Sequence, residues 1–162
     1  MASGNVLPLP YPDESFSLVI TRYSFHHFLD PLAVFKEMTR VCKKVGTIMV
    51  VDVAIPIEKR GAFNDVEKLR DPSHTSACTP EELLAMANGL KMTDIKSAWY
   101  KVEMELEKQI ASSFPKPGDD DKIREILRAD IEKNNVGMGA HWAGDTLYIV
   151  YPSFILAGKR TA

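Results

Sequence analysis

Residues Phe16 to Pro56 read FSLVITRYSFHHFLDPLAVFKEMTRVCKKVGTIMVVDVAIP. Two apolar runs flank a patterned segment here, and that order decides the fold. FSLVITRY, residues 16–23, is short and rich in β-branched residues, which predicts a strand. Asp30 followed by Pro31 supplies an N-cap and a first-turn proline, so a helix starts there. Leu32, Val34, Phe35, Met38, Val41 and Cys42 recur at three- and four-residue spacing. That spacing gives the helix one apolar face and an end near KKVG, residues 43–46. GTIMVVDVAIP, residues 46–56, is almost unbroken apolar sequence closed by Pro56. Such a strand is covered on both faces, as parallel strands flanked by helices are. Strand, helix and buried strand make a right-handed crossover unit, and the fold class is α/β.

Working outward, TPEELLAMANG predicts a second helix, with Thr79 as cap, Glu82 completing a capping box and Gly89 as stop. MTDIKSAWY reads as a strand, and whether KVEMELEKQI continues it or turns helical is open. DDDKIREILRADIEKN is a charged amphipathic helix with Ile123, Ile126, Leu127 and Ile131 inward. DTLYIVYPSFILAGK holds two β-rich runs punctuated by Pro152, and FPKPGDDD is a loop inside the domain.

Composition excludes several function classes. The 162 residues suffice for one hydrophobic core, and 45% hydrophobic with 26% charged content is ordinary for a globular protein. A formal net charge of −2 leaves no electrostatic footprint for nucleic acid or an anionic membrane. No apolar run approaches the roughly 20 residues needed to span a bilayer, and MASGNVLPLPYPDESF is not a secretory signal. Cys42 and Cys78 fit neither a zinc spacing nor a disulfide framework. Cys42 falls on the apolar helix face as a buried thiol, and a reducing, cytoplasmic setting follows.

Parallel strands joined by crossovers present their C-terminal ends at one edge, where open α/β folds bind ligands. His26 and His27 follow the first strand, Asp52 ends the second, and EKLRDPSH carries Arg70, Asp71 and His74 into the next connection. Adjacent histidines normally face apart, and no HExxH or cysteine cluster supports a metal, so no metal site is assigned. A histidine whose pKa lies near neutrality can act as general base or substrate contact; it can equally be a helix-entry residue bonded to backbone. Asp52 can orient such a base or cap the next turn. RDPSH can be a turn in which Asp71 and Ser73 bond nearby amides.

The order of motifs resembles the methyltransferase type 11 group of class I S-adenosylmethionine-dependent methyltransferases, and is similar to ubiquinone/menaquinone-biosynthesis methyltransferases. The residues that carry the resemblance are Gly4-Asn5-Val6, Leu9-Pro10-Tyr11, Phe16-Ser17, His26-His27, Asp30-Pro31, Glu37, Arg40-Val41 and Asp52, with EKLRDPSHTSACTPEEL and ILAGKR further on. The resemblance implies a Rossmann-like sheet of seven strands, of which this chain carries the C-terminal half, the fourth to seventh, flanked by helices. It implies one partial domain over residues 1–162: a cofactor-edge core (1–56), a substrate-region connection (57–80) and a C-terminal α/β portion (81–162). S-Adenosylmethionine is the implied cofactor, lined by Gly4, Asn5, Val6, Thr21, Arg22 and His26. His27 and His74 are the implied proton acceptors with Asp52 to orient or polarise, and Arg70 is the substrate contact, or else the ion-pair partner of Asp71.

This chain departs from the family pattern in places. Asn5 stands where the family has an acid that accepts from adenine; Ser17 replaces another acid, and KKVG replaces Lys-Pro-Gly-Gly. The glycine-rich loop that holds the methionine end of the cofactor lies, in the family, upstream of the segment with which this sequence opens. The strand at residues 16–23 is then expected to lack a neighbour, and its open apolar edge to be covered by a homodimer or a complementing N-terminal half. Methyl transfer to a small molecule is the expected function. The alternatives are a catalytically inactive half-domain acting as an interaction subunit, or a truncated gene product.

Overall fold

The computed structural model describes residues 7–161. Its first unit is β1 (Phe16–Arg22), a 3-10 turn (Phe25–His27), α1 (Pro31–Val41) and β2 (Cys42–Val53). β1 and β2 are parallel, with Leu18 opposite Thr47 and Arg22 opposite Val51. Asp30 caps α1 by accepting the Ala33 N–H at 2.9 Å, and Pro31 occupies the first turn. Glu37 and Arg40 on α1 clamp the preceding segment. The Arg40 guanidinium reaches Glu37 at 2.8 Å and Asp13 at 2.7 Å and donates to the Leu9 and Tyr11 carbonyls.

The helix stops earlier than its apolar spacing predicts, and β2 starts at once. Cys42 is therefore a buried strand residue, not part of a helix face. The ladder jumps from Phe16–Cys42 to Leu18–Thr47, so extra residues bulge from β2, with Val45 at φ 52°. Gly46 lets the strand rejoin, because a Cβ there would lie 2.7 Å from both Cys42 Sγ and the Lys43 carbonyl oxygen.

The chain continues as α2 (Ile57–Arg70), α3 (Pro80–Gly89), β3 (Thr93–Glu105), α4 (Leu106–Ala111), α5 (Asp119–Ala129), β4 (His141–Ala143) and β5 (Thr146–Lys159). The sheet order is β1-β2-β5-β3, with β4 also on β5, and β5 runs antiparallel to β2 and β3. The capping box at Thr79 and Glu82 forms as expected. KVEMELEKQI divides between β3 and α4 at Leu106.

Other expectations change. Residues 57–70 form a full helix where the sequence suggested only a connection. β5 is one strand through Pro152, whose carbonyl accepts the Ala54 N–H at 3.2 Å and so stays in the ladder as an acceptor. Ile123 and Leu127 of α5 are buried, but Ile126 is exposed.

Side-chain alternation divides the core between the two sheet faces. Ile48, Val50, Phe154 and Leu156 pack with Phe25, Phe35, Met38 and Leu83, under α1 and α3. Val53, Ile149 and Tyr151 pack with Phe63, Val66, Leu106, Ile123 and Leu127, under α2, α4 and α5. Among the described residues β1 has no strand on its outer side, and Leu18 and Ile20 are half exposed there. No described helix is long and apolar enough to cross a membrane.

Candidate functional site

β1 and β2 end side by side, and the chain leaving β1 folds back over the end of β2. The Tyr23 N–H adds one more ladder bond, to the Val51 carbonyl at 2.8 Å. Tyr23 then sits in the left-handed region at φ 49°, a conformation that costs a bulky residue energy unless its surroundings hold it. Its hydroxyl is held 2.8 Å from both Ser153 Oγ and Tyr100 Oη. Burial raises the Tyr23 phenol pKa, so it stays protonated.

After this turn the backbone meets the Asp52 carboxylate, which is 2% exposed. Oδ2 accepts the N–H groups of Ser24 and Phe25 at 2.9 and 2.7 Å, and Oδ1 accepts the Val53 N–H at 2.7 Å. The fourth bond joins Oδ1 to His26 Nδ1 at 2.6 Å. Asp52 thus fills a role between the two expected of it: it ties a turn through backbone amides and orients a histidine. That histidine is His26, not His27 or His74.

His27 Nδ1 lies 3.1 Å from both the carbonyl oxygen and Oγ of Ser73. A carbonyl only accepts, so Nδ1 carries the proton and Nε2 keeps the lone pair. Ser73 passes its own Oγ–H to Asp71 Oδ1 at 2.6 Å, and its N–H goes to the same oxygen at 2.8 Å, the turn that RDPSH allowed. Burial works against the Asp71 carboxylate, but the Ser73 bonds and nearby His27 keep its pKa below the usual range. Thr75 ties this turn to the histidine turn, its N–H and hydroxyl both donating to the His26 carbonyl.

His74 is buried, with Nε2 2.8 Å from Asn64 Oδ1. That oxygen also accepts the Ala77 N–H, so Nε2 is the donor, and Nδ1 is left buried without a hydrogen-bond partner. Burial lowers the His74 pKa to about 4, and the ring is neutral at pH 7. The three rings form one group, with centroids 4.2 Å apart for His26–His27 and 5.4 Å for His26–His74.

A cavity of about 280 Å³ opens beside them. Both His26 and His27 line it, contrary to the expectation that neighbouring histidines diverge; His74 packs behind them. Tyr23, Val53, Val102, Met104 and Tyr151 supply its apolar walls. The remaining wall holds Asp71, Gln109 and a buried ion pair. Arg70 Nε and Nη2 donate to the two Glu67 oxygens at 3.0 and 2.6 Å, and Nη1 donates to Ser113 Oγ at 3.0 Å. The Tyr151 hydroxyl donates to Glu67 Oε1 at 2.9 Å, and burial followed by the Glu67 charge drives its pKa well up. Arg70 thus pairs with Glu67 and not with Asp71.

The structure brings His26, His27, His74, Asp52 and Arg70 to one edge, as their sequence positions suggested. Thr21 and Arg22 end β1 close by but do not line the cavity. Gly4, Asn5 and Val6 lie outside the described residues. His141 is elsewhere, 3.1 Å from Glu103. Sequence reasoning missed Tyr23, Glu67 and Tyr151. The i,i+3 spacing of Glu67 and Arg70 was the one available signal, had their helix been recognised. For S-adenosylmethionine, the residues present fit one wall: imidazole nitrogens, an apolar floor and, among the described residues, no unpaired buried cation to repel a sulfonium.

Residues 1–50 match the methyltransferase domain family. The chain is 37% identical over 97 residues to the uncharacterized methyltransferase YcgJ of Bacillus subtilis, covering 57% of this chain and 38% of that protein. It is 37% identical over 87 residues to the uncharacterized protein YafE of Escherichia coli, covering 52% of this chain and 42% of that one. Against the demethylmenaquinone methyltransferase of Roseiflexus castenholzii it is 39% identical over 54 residues, 33% of this chain and 23% of that enzyme. The chain thus spans about two-fifths of the first two of these relatives. The crystal structure of YcgJ superposes with a TM-score of 0.86 at 21% identity, over 98% of this chain and 70% of that one. The resemblance to methyltransferases holds in sequence at the N-terminal end, the fold is shared with the YcgJ structure over 98% of this chain, and the Rossmann-like α/β class stands.

Proposed function

We propose that this chain takes part in methyl transfer from S-adenosylmethionine to a small molecule held in the 280 Å³ cavity. One observation supports this above all: at the ligand edge of a methyltransferase fold, the cavity wall carries two histidine rings whose Nδ1 positions are engaged, leaving Nε2 of each for a ligand. S-Adenosylmethionine supplies an electrophilic methyl group. The protein's task is to place a nucleophile in line with it and, for an oxygen, nitrogen or activated carbon nucleophile, to take a proton. Thr21 and Arg22 face the cofactor side in this reading, His26 and His27 both turn to the cavity where the substrate sits, and Arg70 fixes its far wall. His74 supports the rings from behind, since its own Nε2 hydrogen is given to Asn64. A reducing, cytoplasmic setting suits Cys42 and Cys78, both free and buried.

Calorimetric titration with S-adenosylmethionine, followed by transfer of its labelled methyl group to a panel of small hydroxyl, amine and enol acceptors, tests the reading. Micromolar binding and label transfer that falls at least tenfold in His27→Ala are expected. No binding by the chain sinks it in favour of a non-catalytic interaction subunit.

That second reading draws on the half-exposed Leu18 and Ile20 on β1, whose outer side no described strand pairs. We propose that a further strand pairs there, supplied by a second copy of the chain, because an apolar sheet edge is a template for strand addition. Light scattering at micromolar concentration is expected to give twice the 18.1 kDa chain mass. A monodisperse monomer overturns the dimer and leaves a complementing segment as the strand's source.

A further inference from the structure

We infer that His26 and Asp52 act as a dyad in which Asp52 fixes the ring and His26 Nε2 takes the acceptor's proton; this rests on the methyl-transfer reading above. Resemblance alone assigns His26 to the cofactor and the proton to His27 or His74, but the geometry ranks the three rings differently.

The first criterion is which nitrogen is free. Asp52 already accepts three backbone N–H groups, at 2.9, 2.7 and 2.7 Å, the arrangement that suits a carboxylate acting only as acceptor. The 2.6 Å contact therefore has Nδ1–H as donor, and the His26 lone pair lies at Nε2. His26 lines the cavity, and Nε2 is not among the buried unpartnered atoms. His74 fails here, because its Nε2 carries the hydrogen and its Nδ1 is sealed in.

The second criterion is what meets the positive charge once the proton arrives. In the step itself the acceptor's O–H or N–H bond breaks heterolytically, its electron pair stays on the acceptor, and a new N–H bond forms at Nε2. The imidazolium produced at His26 lies against a carboxylate that is itself only 2% exposed. His27 has instead a carbonyl and a hydroxyl, with Asp71 one hydrogen bond further away. A fixed anion in a site shielded from water favours the charged product far more than a neutral dipole does. The proton then leaves His26 to water through the cavity mouth.

The third criterion is rigidity. The His26 carbonyl accepts from Thr75 N–H and Oγ1 at 2.8 and 2.7 Å, and its ring packs against those of both His27 and His74. The ring thus needs no reordering when an acceptor arrives. Asp52 is on this argument a positioning residue, and His26 the catalytic one.

Long-range 1H–15N spectra of histidine-labelled protein at pH 8, with no cofactor present, test the dyad apart from turnover. His26 is expected as the Nδ1–H tautomer with a bare Nε2, and Asp52→Asn to move it toward Nε2–H. A wild-type His26 carrying its hydrogen on Nε2 overturns the proposal. Because Asp52→Asn also disturbs three backbone bonds, His26→Gln provides a second arm. It is expected to bind S-adenosylmethionine within threefold of wild type while methyl transfer at saturating cofactor falls ~10²–10⁴-fold. Cofactor affinity weakened tenfold or more with kcat preserved would return His26 to the cofactor wall. Should wild type bind no cofactor, the methyl-transfer reading fails while the tautomer still reports on the dyad.

Discussion

Arg70→Met is expected to destabilise the fold by about 3–5 kcal/mol, the usual cost of removing one partner from a buried ion pair. The reason lies in what stays behind. Side-chain exposure is 4% for Glu67 and 15% for Arg70, so the orphaned carboxylate cannot recover its lost partner from water. The Tyr151 hydroxyl still donates to it at 2.9 Å, but a single neutral donor does not offset the desolvation of a charge. Arg70→Met keeps the aliphatic volume and isolates the electrostatic loss from a packing loss. Adding Glu67→Leu removes the stranded charge. The double variant is expected to recover more than half of the loss, leaving mainly the Tyr151 hydroxyl without its acceptor, at about 1 kcal/mol. Urea unfolding of both variants decides the matter. A single variant within about 0.5 kcal/mol of wild type, or a double variant no more stable than the single, would show that the pair is solvated in solution.

The same pair shows where sequence reasoning stops. The β1-α1-β2 unit was legible because each signal was local: β-branched runs, the Asp30-Pro31 start and an apolar helix face. The capping box at Thr79 was legible for the same reason. Helix α2 was not, because IEKRGAFNDVEKLR buries only Phe63, Val66 and Glu67, and a buried glutamate does not count toward an apolar stripe. With α2 unread, Glu67 and Arg70 had no common face on which to pair. The site residues at the ends of β1 and β2 could be gathered by topology alone, since the carboxyl edge of a parallel pair is set by chain order. Which histidine Asp52 grips was not accessible that way. It depends on a left-handed Tyr23 and on two amides turning inward over a neighbouring strand, and nothing in the alternation of FSLVITRY encodes them. Pro152 misled for a related reason: proline breaks a ladder only where its N–H is needed, and here the carbonyl suffices.

Acid is expected to weaken the fold through His74 before most carboxylates titrate. Burial lowers its folded-state pKa to about 4 from the ordinary 6.5. The unfolded chain therefore binds a proton as pH falls through 6.5, while the folded protein resists until about pH 4. More protons bound in the unfolded state means stability that falls as pH falls: full above about pH 7, declining across the window, and level again below the folded pKa. A shift of that size amounts to about 3 kcal/mol at the 1.36 kcal/mol per pH unit of proton linkage. Carboxylates held below their normal range, such as Asp71 and Glu82, lose stability in the same direction at lower pH, so wild type alone does not isolate the histidine. His74→Leu does. It gives up the bond to Asn64, whose Oδ1 still accepts from Ala77, and it removes the Nδ1 that has no partner. Its stability relative to wild type is expected to improve by about 2 kcal/mol or more between pH 7.5 and pH 4.5. Urea unfolding at those two pH values measures that change, and an equal difference at both would mean that His74 titrates in the folded protein as it does in the unfolded chain.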